Sequence, residues 1–253
     1  LAPCGPARVS AGPQLGAATP TCQSPAAALD GRRKGPAMCN LYALTKGQQA
    51  LRDLARALEL GAVQDNLGNL PVLGGLYPDA EAPIIGVARG DAPVPTLSLA
   101  RWGMPSPAFA LEGKTVDRGI TNIRNTASPH WRRWLAPPYR CLVPFTAFAE
   151  HVKTDAGFQP LWFAPAADDP LACFAGLATR WTAEGEVTLT VFGFLTCEPN
   201  AEVAPHHPKA MPVILTTADE QRRWLTADWA EAATLQRPLP DGALRVLGFA
   251  GET

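Results

Sequence analysis

Between positions 83 and 196 the chain carries six short apolar runs: "PIIGVA", "LSLARW", "RCLVPF", "PLWFAP", "ACFAGLAT" and "VTLTVFGFLT". Pro- and Gly-containing turns separate them, the signature of short β segments. Several are apolar at every position, as expected for strands covered on both faces. Helical spacing is confined to the ends of this stretch. In "TKGQQALRDLARALELG" Leu51, Leu54, Ala55 and Leu58 fall on one helical face, Thr45 and Gln48 are spaced as a capping box, and Gly61 stands where a helix would stop. "TTADEQRRWL" repeats the capping-box spacing with Thr217 and Glu220, "DWAEAATLQ" reads as another short helix, and "ALRVLGF" as a closing strand. Together these predict an α+β fold, a single domain built on a curved, mainly antiparallel β-sheet or barrel with flanking helices.

Residues 1–37 are of a different kind. They are rich in Pro, Gly, Ala and Ser, with almost no aromatic or β-branched content. Such a segment buries too little apolar surface to offset its ordering entropy. It is expected to be a disordered or non-native N-terminal extension, leaving 38–253 as the folded domain. It lacks the apolar h-region of a secretory signal, and no stretch of the chain has the length and apolarity of a membrane span.

With 253 residues and 47% of them hydrophobic, the chain has ample material for a core. Its net charge of −1 provides no global field to recruit nucleic acid, so a nucleic-acid site would have to be a local patch. The six cysteines are scattered without CxxC or metal-ligand spacing, which points to a reducing, cytoplasmic setting without metal or cofactor. Cys141 and Cys173 lie in apolar runs and read as buried thiols.

Candidate chemistry is concentrated in a few places. Met38 directly precedes Cys39 at the point where composition changes. If the functional protein begins there, removal of Met38 leaves a cysteine with an α-amine and a thiol on adjacent carbons. Glu150 ends the apolar stretch "CLVPFTAFAE". It is either a solvated strand-end carboxylate or one held in a partly dry site, where burial disfavours its charged form and fits it for proton transfer. His206 and His207 stand before Pro208 and a predicted strand, and each alone could be an inert surface group. In "TNIRNTASPHWRRWLAPPYR", Arg124, Arg132, Arg133 and Arg140 interleave with Trp131, Trp134 and Tyr139. That is the composition of a single-strand binding groove, and equally of core tryptophans under a rim of solvated arginines.

Taken in order, these pieces resemble the SRAP family, the SOS-response-associated peptidases or abasic-site-processing proteins. Met38-Cys39 matches the family's Met-Cys start, and Arg101-Trp102-Gly103 its "RWG". Asn122-Ile123-Arg124-Asn125-Thr126 matches an "NARxET"-like motif, and "RCLVPFTAFAEH" the family's "RCLVPxxGFYEW". Thr196, Asn200, His207 and "MPVIL" match its last block. The chain departs from the pattern at Asn40-Leu41, where Gly-Arg is common, and at Asn125, which takes the place of the motif's glutamate. It departs again at His151, which replaces a tryptophan, and at the three residues between His207 and Met211.

The resemblance implies a protein that crosslinks to abasic sites in single-stranded DNA through a thiazolidine on Cys39, with an associated peptidase activity. It implies catalytic roles for Cys39, Asn122, Glu150 and His207, with His206 the other candidate histidine. It implies DNA contacts from Asn40, Trp102, Arg124, Arg140 and Thr196, with Trp102 stacking on a base or wedging at the lesion. It further implies a monomer partnered by single-stranded DNA containing abasic sites, away from membranes. Two other readings use the same residues. One is an N-terminal-nucleophile cysteine peptidase with no DNA role, in which Cys39 attacks, His207 acts as base and Asn122 orients. The other is a non-catalytic single-stranded-DNA-binding protein.

Overall fold

The computed structural model describes residues 40–87, 93–168, 170–182 and 188–249, so Cys39 and everything before it lie outside the described residues. From β1 (Leu41–Leu44) the chain passes through α1 (Gln48–Ala57) into β2 (Gln64–Asp65), β3 (Leu73–Leu76), β4 (Glu81–Val87) and β5 (Pro95–Trp102). An excursion carrying α2 (Ala108–Leu111) leads to β6 (Asn122–Ile123), and α3 (Pro129–Arg132) precedes β7 (Arg140–Phe145). Four longer strands follow: β8 (Ala147–Thr154), β9 (Gly157–Pro165), β10 (Ala172–Trp181) and β11 (Leu189–Cys197). The chain finishes with β12 (Met211–Pro212), β13 (Ile214–Leu215), α4 (Ala218–Thr226), α5 (Trp229–Ala232) and β14 (Leu244–Phe249).

Five of these strands close on themselves. Antiparallel ladders run β11–β10–β7–β4–β5, and β5 then pairs parallel with β11 through Arg101 opposite Val191 and Trp102 opposite Phe192. A barrel has no exposed edge, which suits strands as apolar as "RCLVPF", buried at all six positions. A second antiparallel sheet, ordered β14–β9–β8–β1–β3, carries the N-terminal strand beside β8. Aromatic rings fill the space between: Phe145 stacks on Phe174 at 3.9 Å, and Tyr42 meets Trp102 edge-on at 5.1 Å. The α+β architecture, with its mainly antiparallel barrel and a few flanking helices, follows the expectation.

Close backbone approach is required where β5 leaves the barrel. Gly119 has φ +72°, and a Cβ there would lie 2.7 Å from the Cα of Gly103. Only glycine fits, and the approach lets Met104 and Ile120 form an antiparallel bridge that returns the chain to β6.

The helix ends differ from one another. Thr217 accepts from the Glu220 amide and Glu220 reaches back, the capping box expected for α4. Thr45 does not cap α1: the N-cap is Gly47, without a side-chain bond. Thr45 instead spends its polar groups on Thr146, through its amide at 3.1 Å and its hydroxyl at 3.2 Å. A tertiary partner that ties β1 to the β7–β8 corner has displaced the local cap.

Arg140 is buried at the C-terminal end of α4, so the expectation that it contacts DNA does not hold. Its Nη1 donates to the Trp224 carbonyl at 2.7 Å and its Nη2 to the Ala227 carbonyl. These are carbonyls that a helix terminus leaves without partners, and a cation there also meets the negative end of the helix dipole. Burial pulls the guanidinium down to about 10, with Asp228 opposing, so it remains a cation at neutral pH. The indole of Trp224 donates in turn to the carbonyls of Cys141 and Gly176, pinning α4 to the barrel wall.

Candidate active site

At the mouth of β1, three polar side chains form a closed triangle. Asn122 Nδ2 donates to Thr121 Oγ1 at 2.9 Å and to Asn40 Oδ1 at 3.3 Å, and Thr121 Oγ1 donates to the same Asn40 oxygen at 3.0 Å. Asn122 is delivered by β6, which runs parallel to β11 with Asn122 opposite Phe194. Thr121 is fixed from behind, since Trp102 Nε1 donates to its carbonyl at 3.2 Å.

Trp102 was expected to stack on a base. It is instead 1% exposed, with its ring against Phe192 and Phe194, and no nucleobase can reach its face. Its place is behind the site, holding the backbone that presents Thr121 and Asn122.

Glu150 enters from β8. Side chains two apart on a strand share a face, so Glu150 points to the same side as the core residue Phe148. It is 1% exposed, which decides between the two readings of this carboxylate in favour of the dry one. The β1–β8 register sets Leu41, which follows Asn40, opposite Ala149, which precedes Glu150.

His207 is buried beside it, with Nδ1 3.9 Å from Glu150 Oε2, while His206 is exposed. His207 Nδ1 lies 2.7 Å from the Ala210 carbonyl. A carbonyl can only accept, so Nδ1 carries the hydrogen and the neutral ring keeps its lone pair on Nε2. That nitrogen has no hydrogen-bond partner among the described residues. Asn200 sets up the turn that delivers the histidine: its Oδ1 accepts from the Val203 amide, and the Val203 carbonyl accepts from the His207 amide.

The rim is basic and braced. Arg124 pairs with the Glu198 carboxylate through Nη2 and donates from Nη1 to the Lys209 carbonyl at 3.3 Å. Gln236 Nε2 bridges the carbonyls of Arg124 and Thr196, at 2.9 and 3.0 Å, and its Oε1 accepts from Thr126. Thr196 itself is 1% exposed, so a DNA contact from its side chain is not available from outside. Its Oγ1 has no hydrogen-bond partner among the described residues. Of the Arg/Trp segment, Trp131 and Trp134 are core, and Arg132 and Arg133 are the solvated rim.

Thr121, Glu198, Asn200 and Gln236 are the site residues that sequence reasoning gave no role. Asn200 alone carried a signal, as a motif residue. The others are joined to their partners by the fold: Gln236 stands 112 positions from Arg124.

Cys39, the expected nucleophile, lies outside the described residues. Cys141, Cys173 and Cys197 are buried free thiols, and burial pushes all three up, Cys197 to about 12. Among the described residues no group of three His, Cys, Asp or Glu side chains is placed to hold a metal ion, and no helix is long and apolar enough to cross a membrane.

Comparison with known proteins gives one family. The model of the SOS response associated peptidase (SRAP) family matches residues 38–248. No curated protein matches the chain significantly. Among solved structures, a protein from Bacteroides thetaiotaomicron superposes with a TM-score of 0.64 at 22% identity, covering 82% of this chain and 90% of its own. A Bordetella bronchiseptica protein gives 0.63 at 22%, covering 83% and 99%. A phage-related protein from the same organism gives 0.59 at 19%, covering 83% and 93%. At these identities the likenesses speak to the fold.

Proposed function

The chain belongs to the SOS response associated peptidase family, and from that premise we propose that it captures abasic sites in single-stranded DNA by forming a thiazolidine on Cys39. Membership supports a DNA-damage-associated, abasic-site-binding role at the level of the family. The finer reading rests on one observation: Asn40, the residue after Cys39, is hydrogen-bonded into a cluster with Thr121 and Asn122, and Leu41 beside it pairs with Ala149, the neighbour of buried Glu150, which in turn lies against His207. In sequence, Cys39 is separated from Asn40 by a single peptide bond.

The chemistry starts from the open-chain aldehyde of the abasic sugar. An α-amine, with an ordinary pKa of about 7.7–8.0, is partly unprotonated at neutral pH and adds to the aldehyde carbon. Loss of water from the carbinolamine gives an imine. The thiol sulfur adds to the imine carbon as its proton passes to nitrogen, closing a five-membered ring. Intramolecular closure gains from proximity, which a lysine amine alone lacks.

In this reading Asn122 orients the amine or the sugar. Glu150 carries protons to and from the amine and the departing water. His207, with its lone pair on Nε2 when neutral and a proton there when charged, serves ring opening of the sugar. Arg124 holds a flanking phosphate. The same Glu150–His207 pair would serve cleavage of the bond before Cys39, the activity for which the family is named.

The experiment compares a version starting at Met38 with the full 253-residue chain, each mixed with a single-stranded oligonucleotide containing one abasic site. A heat-stable shifted band on a denaturing gel is expected. It should be lost with Cys39→Ala and absent with an intact oligonucleotide. No shift from either version removes the crosslinking reading and leaves peptide hydrolysis to be assayed.

A further inference from the structure

We propose that Glu198 acts as a built-in competitor for the backbone phosphate that Arg124 would take, and so sets the affinity of the site for single-stranded DNA. The inference rests on the DNA reading above. Arg124 is not a waiting cation: its Nη2 is engaged by the Glu198 carboxylate and its Nη1 by the Lys209 carbonyl. A guanidinium fork fits carboxylate and phosphate oxygens in the same way, so the two anions compete for one partner.

The pair is poorly suited to holding the fold. The Glu198 side chain is 72% exposed and that of Arg124 38%, and ion pairs so placed contribute little to stability. The backbone of Arg124 is fixed independently, by the Gln236 amide on its carbonyl and by its place directly after β6. Exchange of carboxylate for phosphate therefore needs only side-chain rotation. Glu198 lies one residue beyond β11, at the start of the segment between β11 and β12 that also carries His207. Its charge faces any phosphodiester that approaches Arg124, and DNA that reaches the arginine has displaced a like-charged rival.

The test uses Glu198→Gln, which keeps length and removes charge, in the wild-type background and combined with Arg124→Ala. Binding of an intact single-stranded oligonucleotide is followed by fluorescence anisotropy at low salt. Glu198→Gln is expected to tighten binding by about 1.5- to fivefold, the range set by one exposed ion pair. It should have no effect once Arg124 is alanine. Unchanged affinity overturns the proposal. Weaker binding also overturns it, since Glu198 would then be orienting Arg124 toward the phosphate. Equal tightening in the Arg124→Ala background overturns it in favour of general repulsion. If folded wild-type protein does not bind single-stranded DNA at all, the DNA reading itself has failed, a result distinct from the other three.

Discussion

Arg124 and His207 hang from consecutive carbonyls. Arg124 Nη1 donates to that of Lys209 at 3.3 Å, and His207 Nδ1 to that of Ala210 at 2.7 Å. One short segment thus anchors both the group proposed to hold DNA and the group proposed to move a proton. The two proposed roles thus share one support, and variants of the two residues should separate them.

For Arg124→Ala we expect binding to intact single-stranded DNA to weaken and its salt dependence to flatten. Each phosphate that is no longer neutralised should reduce the slope of log K against log salt by about 0.7. Anisotropy titrations at several potassium chloride concentrations measure both. An unchanged slope would mean that Arg124 touches no phosphate.

For Glu150→Gln and His207→Ala the expected signature is kinetic. Loss of a positioned acid or base lowers rates by about 10²–10⁴-fold. Single-turnover crosslinking should slow in that range, while affinity for intact DNA stays within about twofold of wild type. Loss of affinity with no loss of rate at saturation would reassign both residues to binding.

Trp102→Ala and Arg140→Ala test the reassignment of two expected DNA contacts to the core. Removing a buried tryptophan costs about 3–5 kcal/mol. Removing Arg140 leaves the Trp224 and Ala227 carbonyls without their donor, at about 1–3 kcal/mol each. Urea unfolding midpoints should fall for both variants, with DNA affinity preserved in protein that remains folded. A DNA defect at full stability would return these residues to the interface.

The buried thiols set an alkaline limit. Cys141, Cys173 and Cys197 have folded values raised above an unfolded value of about 8.5. Above that pH the unfolded chain releases protons that the folded chain retains, so stability falls as pH rises. The slope is about 1.4 kcal/mol per pH unit for each thiol, and for Cys197 it persists toward about 12. Denaturant midpoints between pH 8 and 10 should show the decline, and Cys197→Ser should make it shallower. Iodoacetamide at pH 8 should leave all three unlabelled until the protein unfolds.

Strands such as β7 and β10 were legible because continuous apolar runs carry their own signal. The Thr217–Glu220 box was legible because both partners lie within one turn. Thr45 offered the same spacing and did not cap, because Thr146 across the β7–β8 corner took its hydrogen bonds. Trp102 and Arg140 were misplaced for a related reason. Tryptophan and arginine are the residue types of a nucleic-acid groove, and also of a packed ring and a capped helix end, and only the third dimension separates them. Glu150 was ambiguous until its burial was seen. The parallel seam between β5 and β11 leaves no local mark, although it closes the barrel.

That seam also bears on when the protein can work. The bonds that assemble the site span long stretches of chain, 82 positions from Asn40 to Asn122 and 112 from Arg124 to Gln236. Chains dominated by such distant pairings fold slowly, in milliseconds to seconds for small all-β domains, because loop closure precedes the contacts that reward it. A ribosome-bound chain from which β11 has not yet emerged can neither close the barrel nor seat Asn122. The cluster of Asn40, Thr121 and Asn122 is thus expected to assemble late and all together, at the end of folding.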